Sequence, residues 1–279
     1  MTLSELLDIT TSTRSYNFHS HTQFCDGYAP MEEMVHAAEA AGILHYGFSP
    51  HSPIPIESPC NMSEKSVEQY IAEADRLQQL LADADSPLRL YKGMEIDRIS
   101  HDSAPHIDYY RNLPLGYRIG SVHFVTSQEG IPIDCDGRFP RFEKNLREHF
   151  RSDLRYVVEK YFESVLLMLE EGGFDILGHA DKIAANASGI DPEIESRSWY
   201  KALMDDVVRL SASTGVIVEI NTKSIEDRGR FFPHLDWWES FIQAGIPLMV
   251  NSDAHRPEMI DFGRQQAFTL LDRLCQNSL

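Results

Sequence analysis

Seven short apolar runs, each followed by a longer amphipathic stretch, limit what this 279-residue chain can fold into more than any other feature. The runs read YNFHSH, LHYGFSPH, LRLYKGMEI, YRIGSVHFV, FDILGHA, VIVEINT and PLMVNSDAH. Between and after them, helical spacing of apolar residues predicts helices near 30–41, 63–84, 153–171, 195–213, 234–244 and 263–275. Pro30 suits a first helical turn, Ser63 can cap the helix that follows it, and Gly42, Gly172–Gly173, Gly215 and Gly245 supply helix stops. Strands that alternate with helices throughout call for a parallel sheet with helical crossovers. No linker, repeat or low-complexity segment divides the chain, so one domain over 1–279 is expected, with 1–15 as an N-terminal extension. A closed barrel of alternating strands and helices fits better than two domains, and a doubly wound open sheet is the alternative.

Composition narrows the function classes. Hydrophobic residues make up 42% and charged residues 24%, which describes an ordinary globular chain, and no apolar run is long enough to span a bilayer. The formal charge of −18 and the lack of a Lys/Arg cluster argue against a nucleic-acid partner. The opening MTLSELLDITTSTRSY has neither the basic nor the apolar region of a secretion signal. Cys25, Cys60, Cys135 and Cys275 are scattered and form no pairing motif, so a reducing, cytoplasmic setting is expected.

The chemistry lies in where the runs end. His19 and His21 close the first and His51 the second; Glu95 ends the third; His123 lies in the fourth; His179 ends the fifth. Glu219 and Asn221 lie in the sixth, and Asp253 and His255 close the seventh. In a parallel barrel all strand C-termini open on one face, so these residues converge. His19/His21 and Asp253/His255 are i, i+2 pairs, which on a strand share a side. A lone histidine on an apolar strand is ordinarily a satisfied core residue. Imidazoles and carboxylates at corresponding strand ends are instead a donor set for Zn²⁺, Mn²⁺ or Fe²⁺. His36, His45, His149 and His234 read as structural or solvated, and His101 and His106 as possible lining of a pocket.

In order and spacing, HSHTQFCDG, SPHSP, GMEID, GSVHFV, LGHADKI, EINT and NSDAH resemble the polymerase-and-histidinol-phosphatase (PHP) family, most closely its histidinol-phosphatase branch, from about residue 17 to 256. The resemblance implies a distorted (β/α)7, TIM-like barrel carrying two to three divalent ions at the C-terminal ends of its strands. By that likeness His19, His21, Glu95 and Asp253 would hold one ion. Glu95, His123 and His179 would hold a second, and Asp26, His51 and His255 a third.

Such a cluster suits phosphate-ester hydrolysis by a water ionised between metals, with no enzyme nucleophile. Cys25, between two ligands, reads as a small buried thiol. Asp253 and His255 are candidates for protonating the leaving group. Lys182, Lys223, Arg228, Arg230 and Arg256 are candidates for gripping phosphate, and Glu219 or Asp97 for pairing with a substrate amine. The expected activity is a phosphomonoesterase acting on a small molecule, L-histidinol phosphate by the family likeness. Another small ester or a nucleotide, or a non-catalytic metal-binding module, are the alternatives.

Overall fold

A computed structural model of the chain describes residues 1–277. Its strands are β1 (Tyr16–Asn17), β2 (His45–Phe48), β3 (Arg89–Lys92), β4 (Glu95–Asp97), β5 (Ile119–Ser121), β6 (Phe124–Thr126), β7 (Pro132–Asp134), β8 (Ile176–Leu177), β9 (Ile217–Asn221) and β10 (Leu248–Asn251). Its helices are α1 (Leu3–Ser12), α2 (Met31–Ala40), α3 (Glu64–Asp83), α4 (Asp108–Arg111), α5 (Phe139–His149), α6 (Leu154–Glu171), α7 (Ile183–Ile190), α8 (Ser198–Thr214), α9 (Ile225–Arg228), α10 (Trp238–Gln243) and α11 (Arg264–Asn277). Among the described residues no helix is long and apolar enough to cross a membrane.

The helix ends follow local chemistry. Ser63 Oγ accepts from Ser66 N at 3.2 Å and starts α3. Gly215 ends α8 with φ +72, a left-handed conformation that a side chain would disfavour. The segment 1–15 carries a helix of its own. Thr2 and Glu5 form a reciprocal capping box, and α1 buries Leu6 completely against the strands. That burial stabilises the helix by about 1.5–3 kcal/mol.

The strands form an α/β fold built on two parallel sheets, ordered β1-β2-β3 and β10-β9-β8-β5-β4, with β6-β7 as a separate antiparallel hairpin. The continuous ladder of a closed barrel is not formed. Two parallel bridges, Ser20 with Ala254 and His51 with Glu95, link the sheets instead. The expected third strand divides into β3, which pairs with β2, and β4, which pairs with β5. Tyr117 explains the division. Its ring fills the space where a Cβ on Gly93 or Gly47 would stand, 2.3 Å from ring or hydroxyl atoms. Its hydroxyl donates to the carbonyls of Phe18 (2.6 Å) and Phe48 (3.0 Å). Around it Tyr16, Phe18, Ile119, Ile176, Ile217 and Met249 form a strand-lined core, and α2, α3, α6 and α8 cover the outer faces of the sheets.

Candidate metal centre

Glu95, at the start of β4, is the hub of the ligand set. One of its oxygens, Oε1, lies 2.8 Å from His179 Nε2 and 3.5 Å from His123 Nε2. The other, Oε2, lies 3.1 Å from His51 Nδ1, 3.3 Å from His19 Nε2 and 3.5 Å from His21 Nε2. Asp253 Oδ1 faces His21 Nε2 at 3.0 Å and His255 Nδ1 at 3.4 Å. Asp26 reaches His21 Nδ1 at 3.2 Å and His255 Nε2 at 3.3 Å. His19 and His21 stand just beyond the β1 ladder. Backbone bonds from His21 N to Ala254 O (2.8 Å) and from Ala254 N to His19 O (3.1 Å) hold that stretch extended. The bridge between His51 and Glu95 likewise joins the tips of two elements that belong to different sheets.

The imidazoles are aimed by acceptors behind them. His19 Nδ1 donates to Glu219 Oε1 at 2.7 Å, and His123 Nδ1 donates to Asp97 Oδ1 at 2.7 Å, so each ring turns Nε2 toward Glu95. Glu219 is saturated further by the amides of Asn221 and Asn251 and by the backbone of His179. Glu219 and Asp97, the candidates for a substrate amine, are both buried and orient histidines and their neighbours, and Asp97 also lines the cavity beside the cluster.

The electrostatics are those of concentrated negative charge. Burial alone would lower His19 and His123, but the surrounding carboxylates outweigh it and raise them to about 10 and about 9. Burial dominates at His51 and His255 and lowers them to about 3 and about 4. Glu95 and Asp253 stay well below the ordinary carboxylate range: burial opposes this, but nearby cationic groups outweigh it.

The donor set fits divalent cations. Ligand atoms within 4.8 Å of one another group as His21/Asp26/His51/His255, His19/His21/Glu95, His19/His179/Asp253 and His51/Glu95/His123. His19 Nε2, Asp26 Oδ1, His51 Nδ1, Glu95 Oε2 and His179 Nδ1 are buried without a hydrogen-bond partner. Each such atom costs about 1–3 kcal/mol when left unmet. Five of them within one ligand set are the mark of a site that a cation completes. Backbone strain collects here too, with His179 at φ +22 and Asp253 at φ +52.

The candidate cations divide. Lys182 and Lys223 line the cavity beside the cluster, together with Arg141, Asp134, Asp136 and the 57–61 segment. The other three are not brought there. Arg230 is buried with Asp181 Oδ2 and Glu195 Oε1, each at 2.6 Å, so its charge is already met. With Arg228 it lines a different cavity, against α7. Arg256 lies over the Tyr28 ring, 4.4 Å from its centre. His101 and His106 sit beside Glu171, and none of His36, His45, His149 and His234 joins the cluster. Asp134, Asp136 and Arg141 escaped the sequence reading. Asp134 ends the second strand of a hairpin, and Asp136 and Arg141 follow it; the parallel pattern concealed its antiparallel pairing, and a DCDG turn is the one local signal.

Comparison with known proteins finds similar sequences and a shared fold. A probable histidinol-phosphatase of Deinococcus radiodurans is 28% identical over 254 residues, which cover 88% of this chain and 87% of that one. The fold matches that of a histidinol phosphatase candidate, hisK, from Listeria monocytogenes (TM-score 0.77, 18% identity, 90% of this chain and 99% of the other). It also matches the histidinol phosphate phosphatase of Lactococcus lactis solved with zinc, L-histidinol and phosphate (TM-score 0.70, 19% identity, 93% of each chain). The PHP domain model matches residues 17–223, well over half of the sequence and seven of the candidate ligand positions discussed above, so this chain belongs to the PHP domain family.

Proposed function

We propose that the chain is a metal-dependent phosphomonoesterase whose substrate is L-histidinol phosphate, acting in the cytoplasm. One observation carries the reading: His and carboxylate ligands from six separate strand ends meet around Glu95, beside a cavity that holds two lysines. The Deinococcus relative and the Lactococcus complex support the choice of ester. The same reading treats the two bridged sheets as one distorted seven-membered ring, TIM-like in plan, with the site at its C-terminal mouth.

His19, His21, Asp26, His51, Glu95, His123, His179, Asp253 and His255 would hold two to three ions, Zn²⁺, Mn²⁺ or Fe²⁺. Bound there, such ions lower the pKa of water and offset charge on a phosphoryl group. The protein's own share is positional. Glu219 and Asp97 fix two rings, and buried strand tips exclude bulk water from one side. Lys182 and Lys223 supply charge-assisted donors to phosphoryl oxygens, and Arg141, paired at 3.3 Å with Asp134, adds a third cation at the rim. For leaving-group protonation Asp253 and His255 remain the candidates, His255 with Lys223 Nζ at 3.2 Å.

Purified protein loaded in turn with Zn²⁺, Mn²⁺ and Fe²⁺ should be assayed on L-histidinol phosphate, a sugar phosphate and bis-p-nitrophenyl phosphate. The reading expects the highest kcat/KM on the first. Preference for the sugar ester would overturn the substrate, and loss of all turnover at full metal occupancy would overturn the enzyme.

A further inference from the structure

Asp136 lies on the cavity wall outside the ligand set, and the reading above gives it no task. Its backbone is unusually well held. Asn186 Nδ2, from α7, donates to the carbonyls on either side of it, Cys135 (3.1 Å) and Gly137 (2.9 Å). Asp134 Oδ1 accepts from Asp136 N (2.9 Å) and Gly137 N (3.0 Å). One carboxylate is thereby fixed with its Oδ2 3.2 Å from Lys182 Nζ and 4.0 Å from His123 Nε2.

Lys182 is nearly enclosed, its side chain 11% exposed, and it has a second carboxylate within reach, Asp253 Oδ2 at 3.9 Å. An enclosed ammonium needs a carboxylate partner, because burying it alone is strongly unfavourable. Asp253 already faces Lys223 Nζ at 3.3 Å and belongs to the ligand set. Were Asp136 missing, Lys182 would close the short distance to Asp253 and compete there with a cation. With Asp136 present the ammonium is held between the two carboxylates, and a lysine's three N–H groups leave it a donor for a ligand.

We propose that Asp136 is a positioning residue: it keeps Lys182 off Asp253 and holds its ammonium for the third non-bridging oxygen of a phosphate monoester. The proposal rests on the phosphomonoesterase reading and deepens it. A monoester carries three non-bridging oxygens and about two negative charges near neutral pH, whereas a diester carries two oxygens and one charge. A cation fixed at that place therefore favours the monoester, and the pair sets which ester class the site accepts.

The test uses Asp136→Ala, Lys182→Met, the double variant and Asn186→Ala, with folding checked by circular dichroism. The first readout needs no activity: zinc affinity by competition with a chromophoric chelator. Asp136→Ala should weaken zinc binding about tenfold, the scale of one charge-assisted bond. The double variant should regain the affinity of Lys182→Met, because the competing ammonium is gone. The second readout is kcat/KM on p-nitrophenyl phosphate relative to bis-p-nitrophenyl phosphate. That ratio should fall at least about tenfold in Asp136→Ala and Lys182→Met, and less in Asn186→Ala, which loosens the turn but keeps both charges. Wild-type zinc affinity in Asp136→Ala, or an unchanged ester ratio in Lys182→Met, would overturn the proposal. If the native protein hydrolysed neither these esters nor L-histidinol phosphate, the phosphomonoesterase reading would fail, and the zinc arm would still decide whether Asp136 restrains Lys182.

Discussion

At His123 the direction of one ring is decided by a neighbour that the sequence presents as a spare acid. Asp97 accepts both the ring Nδ1 (2.7 Å) and the backbone N (3.1 Å) of His123, so a single carboxylate fixes the residue twice. Asp97→Asn should weaken metal binding about 10–100-fold while the fold survives. Chelator competition measures this, and wild-type affinity would remove Asp97 from the site. His123→Ala should cut turnover by orders of magnitude; a normal rate at full metal occupancy would free the residue from the chemistry. Eight of the candidate ligand positions were legible because a donor at or near the end of an apolar run has few other reasons to be there, and Asp26, in a loop, was legible only through the family likeness. The roles of Asp97, Glu219 and Arg230 were not. Sequence shows that a residue is charged, but the charge that already meets it comes from far along the chain, as Asp181 and Glu195 do for Arg230.

Between residues and fold stand the elements, and there the lesson concerns length. The long helices were readable because α3, α6 and α8 repeat a buried face over many turns, and α6 and α8 end at glycines. The strands are two to five residues long, so an apolar run fixes that a strand exists without fixing its partner. LRLYKGMEI read as one strand, yet Gly93 breaks it where Tyr117 fills the space between β3 and β4. YRIGSVHFV read as one strand as well, and its second half instead turns into the antiparallel hairpin that brings Asp134 and Asp136 to the cavity. Gly93→Ala tests the cause of the first break. Its Cβ would lie 2.3 Å from the Tyr117 ring, a contact that requires backbone or ring to move. Overpacking of this kind destabilises by about 1–3 kcal/mol, read as a lower urea midpoint with unchanged slope. A midpoint equal to that of the native chain would show that Tyr117 can yield, and the break would need another explanation.

Across the whole molecule, negative charge that sequence composition spreads over the surface is partly gathered at one buried point. Without metal, protons take the place of cations there, which sets how stability depends on pH. His19 and His123 have folded values near 10 and 9 against an ordinary 6.5. A raised value means the folded chain keeps a proton that the unfolded chain releases. Their contribution is complete below about pH 6.5 and is lost as pH climbs through 9 to 10. His51 and His255, near 3 and 4, act in the opposite sense: their contribution is complete above about pH 6.5 and is lost as pH falls toward those values. The opposing slopes meet close to pH 6.5, where metal-free protein should be most stable. Bound ions require unprotonated imidazoles, so metal adds more stability as pH rises. At a hundredfold excess over Kd the addition is about 2.7 kcal/mol. The difference in melting temperature between zinc-loaded and EDTA-treated protein should therefore widen from about pH 6.5 to about pH 8.5. A difference that stays constant over that range would place the bound ions away from the histidines around Glu95.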